Sequence, residues 1–173
     1  GLYTNKVHEL DVTEYERAHY SKKTIDFEFD FPFGKKELYG LAYRTDYGLK
    51  KHIEHSVQKL EYVDPDTHEK TVPHVIEPSL GVDRTVLAIL VSAYTEDEIN
   101  GEVRTFLKLE PEIAPVKVAV FPLLKNKPEL VDKAQEIFYD IIKPNVPSAI
   151  FDSNGNIGKR YRRQDEIGTP YTI

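Results

Sequence analysis

Val75-Ile76-Glu77-Pro78-Ser79-Leu80-Gly81-Val82-Asp83-Arg84-Thr85 is the stretch on which the reading of this chain turns. It reads as a strand, a tight bend, a glycine, and then a helix with an arginine in its first turn. The helix runs from about Val82 to Tyr94, because Val86, Leu90 and Tyr94 recur at i, i+4 and i+8. A helix N-terminus offers unpaired amides and positive potential, and Arg84 adds a planar charged fork, a combination that suits phosphate oxygens. Glu77, just before the bend, is placed to meet an ammonium group. The same residues also suit a plain helix entry, with Asp83 in the favourable first turn and Arg84 in a surface ion pair.

Upstream, Thr24-Ile25-Asp26-Phe27-Glu28-Phe29-Asp30-Phe31 alternates without a break, the signature of a half-buried antiparallel strand. Its acidic face, Asp26, Glu28 and Asp30, reads as solvent-facing. After Pro32-Phe33-Gly34 a second strand covers 37–45, with bulky Tyr39, Leu41 and Tyr43 on one face and small Gly40 and Ala42 on the other. A face of small residues lets something approach the backbone closely. By alternation Glu37 and Arg44 fall on opposite faces, unless a bulge intervenes. A short helix is expected at 46–56, where His52 and His55 share a face without a third metal ligand in sight. Two strands follow, 58–63 and 71–77, about the turn Asp64-Pro65-Asp66-Thr67-His68.

Downstream, a polar stretch from Thr95 to Glu102 closes the first unit, followed by a strand near 104–109. Glu110-Pro111-Glu112-Ile113-Ala114-Pro115 reads as a linker. Beyond it the character changes. A mostly apolar strand at 116–121, a helix at 128–142, a strand near 148–151, a helix near 156–165 and a terminal strand predict an α/β unit. Lys159-Arg160-Tyr161-Arg162-Arg163 is the densest basic cluster in a chain of net charge −6. It suits RNA, with Tyr161 free to stack on a base, and equally a solvated face paired with Asp165 and Glu166.

The acidic balance argues against a general nucleic-acid coat but leaves room for a local basic patch. With 40% hydrophobic residues the chain is not disordered, and its longest apolar run falls far short of the roughly 20 residues of a membrane span. Zero cysteines exclude disulfides and thiolate zinc sites and fit a cytoplasmic protein. Gly1 in place of a starting methionine and a last strand cut in mid-course suggest a fragment.

The stretch 75–85 resembles motif 3 of the class II aminoacyl-tRNA synthetases, the glycyl branch in particular. Four further segments resemble the same family, in the right order: Glu16 to Ser21, Asp26 to Gly34, Glu37 to Tyr47 and Gly155 to Tyr171. The resemblance implies an α+β fold, with residues 1–110 the end of an antiparallel-sheet catalytic domain and 113–173 a truncated anticodon-binding domain. It implies that Arg84 and Glu37 serve catalysis, and that Glu37, Leu38, Gly81, Val82, Asp83 and Arg84 meet ATP. Glu77, Pro78, Ser79, Leu80 and Gly81 would bind glycine, and Glu37 would help hold magnesium. Lys159, Arg160, Tyr161 and Arg163 would face tRNA(Gly). A homodimer in the cytoplasm, away from membranes, is expected of the whole protein. Motifs 1 and 2 do not occur in this chain, so the 173 residues alone are expected to be inactive. The other reading is a synthetase-like protein that binds nucleic acid without catalysing, such as an accessory subunit.

Overall fold

The structure, a computed structural model, describes residues 2–99 and 101–173. The fold is α+β, and the chain divides into two compact units, one of Tyr3–Ala88 and one built mainly from Ile89–Ile173.

The first unit is organised by a four-stranded antiparallel sheet. Its strands are β1 (Val7–Asp11), β2 (Lys23–Phe31), β3 (Gly34–Thr45) and β6 (Val75–Leu80), in the order β1-β2-β3-β6. Helix α1 (Tyr47–Ser56) and a small hairpin, β4 (Tyr62–Val63) with β5 (Lys70–Thr71), connect β3 to β6. Phe29 and Phe31 are buried, their rings edge to face at 4.9 Å. The alternating pattern thus anchors β2 through its apolar face.

The expected bend at 77–81 does not exist. β6 continues through Pro78 to Leu80, and only Gly81 separates it from helix α2 (Val82–Ala93). Proline is tolerated because β6 is an edge strand, paired only with β3.

β3 carries two irregularities. Phe27 pairs with Tyr39 but Glu28 with Glu37, which leaves Leu38 as one extra residue. On the other side, Tyr43 pairs with Ile76 and Thr45 with Val75, which leaves Arg44 extra. Each extra residue shifts the alternation by one.

In the second unit, β7 (Tyr94–Ile99) and β8 (Glu102–Leu107) form a hairpin. The expectation of a polar closing stretch at 95–102 is therefore corrected, except at Asn100, which lies outside the described residues. The residues there are polar yet paired: Asp97 stands directly opposite Arg104, and the guanidinium binds both carboxylate oxygens at 2.6 and 2.9 Å. Arg104 also reaches Asp165 at 3.0 Å.

The last part of the chain is the expected α/β arrangement. β9 (Val118–Val120) lies between β10 (Ile150–Phe151) and β11 (Tyr171–Thr172), parallel to both. Helix α3 (Pro128–Glu136) widens into a π-helical turn over Ile137–Ile142 and ends in a single turn, α4 (Lys143–Asn145). Helix α5 (Ile157–Ile167) is capped by Asn156, whose side chain accepts from the Lys159 amide at 2.9 Å. Val120, Ala134, Phe138 and Ala149 form the core.

Candidate active site

Register places the site. Asp26 pairs with Gly40 and Thr24 with Ala42 across β2 and β3. Gly40 pairs with Ser79 and Ala42 with Glu77 across β3 and β6. Thr24, Asp26, Gly40, Ala42, Glu77 and Ser79 therefore share one face, and all of them line a cleft of about 220 Å³. The small residues of β3 make its floor.

The bulge at Leu38 brings Glu37 onto the same face, where it also lines the cleft. Leu38 itself is buried, 2% exposed. Its side chain packs into the interior and acts on the cleft through the register shift. Arg44, the second extra residue, donates to the Glu77 carboxylate, and its guanidinium lies 4.3 Å from the centre of the Tyr20 ring. The Glu77 carboxylate holds the Arg44 guanidinium more firmly protonated than usual. Both Glu37 and Arg44 thus serve the one cleft, the outcome that alternation allows only with a bulge.

Arg84 is exposed in the first turn of α2 and donates from Nη1 to the Glu37 carbonyl at 2.6 Å. Thr85 closes the first turn onto the Gly81 carbonyl through its amide at 2.9 Å and its hydroxyl at 2.8 Å. The preceding amides, of Val82, Asp83 and Arg84, have no acceptor within the helix by its geometry. The rim formed by Gly81 to Arg84 is therefore anion-seeking, while the cleft below is acidic.

Two expected site residues lie elsewhere. Pro78 and Leu80 alternate with Glu77 and Ser79, so their side chains fall on the opposite face, where they line an apolar groove with Phe27, Tyr39 and Leu41.

Asp26, which the sequence reading assigned to solvent, lines the candidate cleft. Burial, followed by the charges of Glu37 and Glu28, raises its carboxyl above the usual carboxylate range. Arg17 also lines the cleft, with its Nε buried and unpartnered. The signal for Asp26 was present as an acidic residue facing the small residues of β3, but only knowledge of the register connects them. Asp30, on the same acidic face, is bound by His8 at 2.8 Å. Among the described residues no group of three or more His, Cys, Asp or Glu is arranged to hold a metal.

The basic cluster on α5 divides. Arg160 is 1% exposed and donates to the carbonyls of Pro122, Ser153, Asn154 and Gly155. It is a buried tie and not an RNA-facing group, because each guanidinium nitrogen is already committed. Arg163 binds Asp152 at 2.5 Å and the Asn154 carbonyl at 2.9 Å. Arg162 pairs with Glu166 at 3.2 Å. Lys159 and Tyr161 remain exposed, the latter edge-on to Phe121 at 5.3 Å.

Residues 117–173 match the family model described as "Anticodon binding domain". The glycine–tRNA ligase of Caldanaerobacter subterraneus subsp. tengcongensis is 52% identical over 173 residues, covering 100% of this chain and 36% of that protein. The glycine–tRNA ligase of Clostridium perfringens is 50% identical over 179 residues, covering 100% of this chain and 37% of that protein. The chain thus spans just over a third of the length of these relatives. A Giardia lamblia prolyl-tRNA synthetase, solved in complex with prolyl-adenylate, superposes with a TM-score of 0.66 over 95% of this chain and 32% of that one, at 16% identity. That likeness shows a shared α+β fold over most of this chain.

Proposed function

This chain is a homologue of the glycine–tRNA ligases along its whole length, and on that footing we propose that it supplies part of the amino-acid and ATP site of such a ligase, together with part of its anticodon-binding domain. The reaction is two-step. The glycine carboxylate attacks the α-phosphorus of ATP, forming glycyl-adenylate and releasing pyrophosphate. The 3′-terminal ribose hydroxyl of tRNA(Gly) then takes the glycyl group and releases AMP.

The observation that carries this reading is the sequence of charge along one face. Carboxylates of Glu77 and Glu37 stand over a floor of small residues, and Arg84 with the first amides of α2 stands at the rim. An α-amino acid presents an ammonium to the acidic floor and leaves its carboxylate towards the cation at the rim. ATP phosphates find Arg84 and the helix N-terminus there, where fixed donors stabilise the charge that develops at the α-phosphate. No nucleophilic side chain is needed, because the substrate carboxylate is the nucleophile. Arg44 holds Glu77 in place from the side.

Magnesium keeps much of its shell as water and phosphate oxygens, so one or two protein carboxylates suffice. Glu37 is exposed, and its backbone is tied to Arg84, which fits that need. When bound, the ion supplies positive charge to the phosphates. On the anticodon side, Lys159 and Tyr161 are the members of the basic cluster free to meet RNA, and Arg163 keeps a partly exposed guanidinium. The same reading extends to residues 1–110 and 113–173 as the catalytic and anticodon-binding parts, and to a cytoplasmic homodimer.

The test is ATP–pyrophosphate exchange by the complete gene product, with each amino acid offered in turn. Exchange with glycine alone is the expected result. Exchange with another amino acid refutes the substrate, and no exchange with any of them leaves a non-catalytic nucleic-acid-binding relative. The 173 residues alone are expected to give none.

A further inference from the structure

Tyr20 lines the cleft from the connection between β1 and β2. The Arg44 guanidinium lies over its ring, 4.3 Å from the centre, while Arg44 Nη1 donates to the Glu77 carboxylate. The two contacts use different parts of the fork: the carboxylate takes an N–H, and the ring face meets the cation at Cζ. We infer that Tyr20 is a positioning residue of the glycine-activating site: its ring holds the Arg44 guanidinium, and Arg44 in turn aims the Glu77 carboxylate. This rests on the proposed function and adds to it the group that fixes one of its carboxylates.

Three features of the fold support this. Arg44 has no register partner on β6, because Tyr43 pairs with Ile76 and Thr45 with Val75, so no side chain directly opposite on that strand fixes its long stem. The Arg44–Glu77 pair is itself partly exposed, at 29% and 40%, and such a pair alone does not hold two flexible side chains in one geometry. The ring, by contrast, is fixed. The Ser21 amide donates to the Ala18 carbonyl at 2.8 Å, and the Lys22 amide donates at 2.8 Å to the carbonyl of Tyr43, the residue before Arg44. His19 meets the Tyr20 ring edge-on at 5.3 Å and braces in turn against Tyr47, at the start of α1, at 5.5 Å. A fixed aromatic thus stands beside a flexible cation, an arrangement in which the face contact selects one rotamer of the cation.

The test is ATP–pyrophosphate exchange by the complete gene product. Tyr20→Leu removes the ring and is expected to raise the KM for glycine by about 3- to 30-fold, the span of a partly desolvated cation–π contact. The KM for ATP should change less than about twofold. Tyr20→Phe keeps the ring and is expected to stay within about twofold of wild type. In an Arg44→Gln background Tyr20→Leu should add nothing, since the ring then has no cation to hold. Equal loss in Tyr20→Phe and Tyr20→Leu, an unchanged glycine KM in Tyr20→Leu, or additive effects of Tyr20→Leu and Arg44→Gln each overturn the inference. If Tyr20→Leu does not fold, phenylalanines carrying successive ring fluorines replace it at the same position. These keep the shape and weaken the π face, so the glycine KM must climb with fluorine count, and a flat series overturns the inference. Failure of the wild-type protein to exchange with glycine would instead refute the underlying function, so the two failures are distinguishable.

Discussion

Arg160 offers the sharpest test of how the second unit is held together. Replacing it with Met keeps an unbranched apolar stem and deletes the guanidinium. Four carbonyls then lose their donor: Pro122, Asn154, Ser153 at 3.2 Å and Gly155 at 2.9 Å. Pro122 is fully buried and stays dry. Its orphaned carbonyl alone costs about 1–3 kcal/mol. The other three lie in the 153–155 turn, where Asn154 is exposed and water can replace part of the loss. About 1 kcal/mol each is an upper figure for them. The total comes to about 1–6 kcal/mol, a span that includes the range found when one partner of a buried charged network is removed.

Native-state hydrogen exchange across β9, β10 and β11 reads this locally, whatever the rest of the protein does. Arg163→Met is the internal comparator. Its side chain is 43% exposed while bound to Asp152, so a loss of about 1 kcal/mol or less is expected. A loss below about 1 kcal/mol for Arg160→Met, with a clear drop in tRNA affinity, would refute the structural role and return Arg160 to the RNA-facing set.

Two further predictions concern the same unit. Gly168 caps α5 at φ +78°, and an added Cβ would sit 2.6 Å from Leu109 Cδ1 and 3.1 Å from Leu107 Cβ. Gly168→Ala should therefore cost about 1–3 kcal/mol in urea unfolding, and an unchanged midpoint would refute the close approach. Burial alone would raise the Asp152 carboxyl, but the Arg163 guanidinium, the Asn154 amide and the nearby Arg160 together hold it below its ordinary 3.8. A carboxyl depressed in the folded state stabilises above its unfolded pKa, and that contribution disappears as pH falls through the folded value. Stability of the wild-type unit should therefore fall more steeply below pH 3.8 than that of Asp152→Asn, as measured by hydrogen exchange or urea unfolding at stepped pH. Parallel pH profiles would overturn this assignment.

Much of the fold could be read from the sequence, because the relevant patterns are local. The alternation from Ile25 to Phe31 gives β2, the i, i+4, i+8 stripe from Val86 gives α2, and the change to apolar strands after Pro115 gives the parallel sheet around β9. The second strand of the β7–β8 hairpin was legible as the strand expected near 104–109, but β7 was read as a polar closing stretch, because it is held by polar cross-strand contacts such as Asp97 with Arg104. Arg160 was missed for a related reason. A basic run on an acidic protein suggests a surface, and nothing local shows that one member turns inward to collect carbonyls.

The cleft itself shows where local reading stops and register takes over. Strict alternation would send Glu37 to the side of Tyr39 and Leu41, away from Gly40 and Ala42. The extra residue Leu38 reverses that parity for everything before it on β3, and its own buried side chain holds the bulge in place. The second extra residue, Arg44, stands at the other end of the strand, where its guanidinium meets Glu77 on the cleft side. Between the two irregularities lie only Tyr39 to Tyr43, and in that span the small residues face the cleft while the bulky ones face away. Arg44 shares the parity of Gly40 and Ala42 and needs no bulge to lie on their side, where it reaches Glu77. It is therefore the Leu38 bulge alone that adds the Glu37 acid to the face whose floor is the small residues of β3.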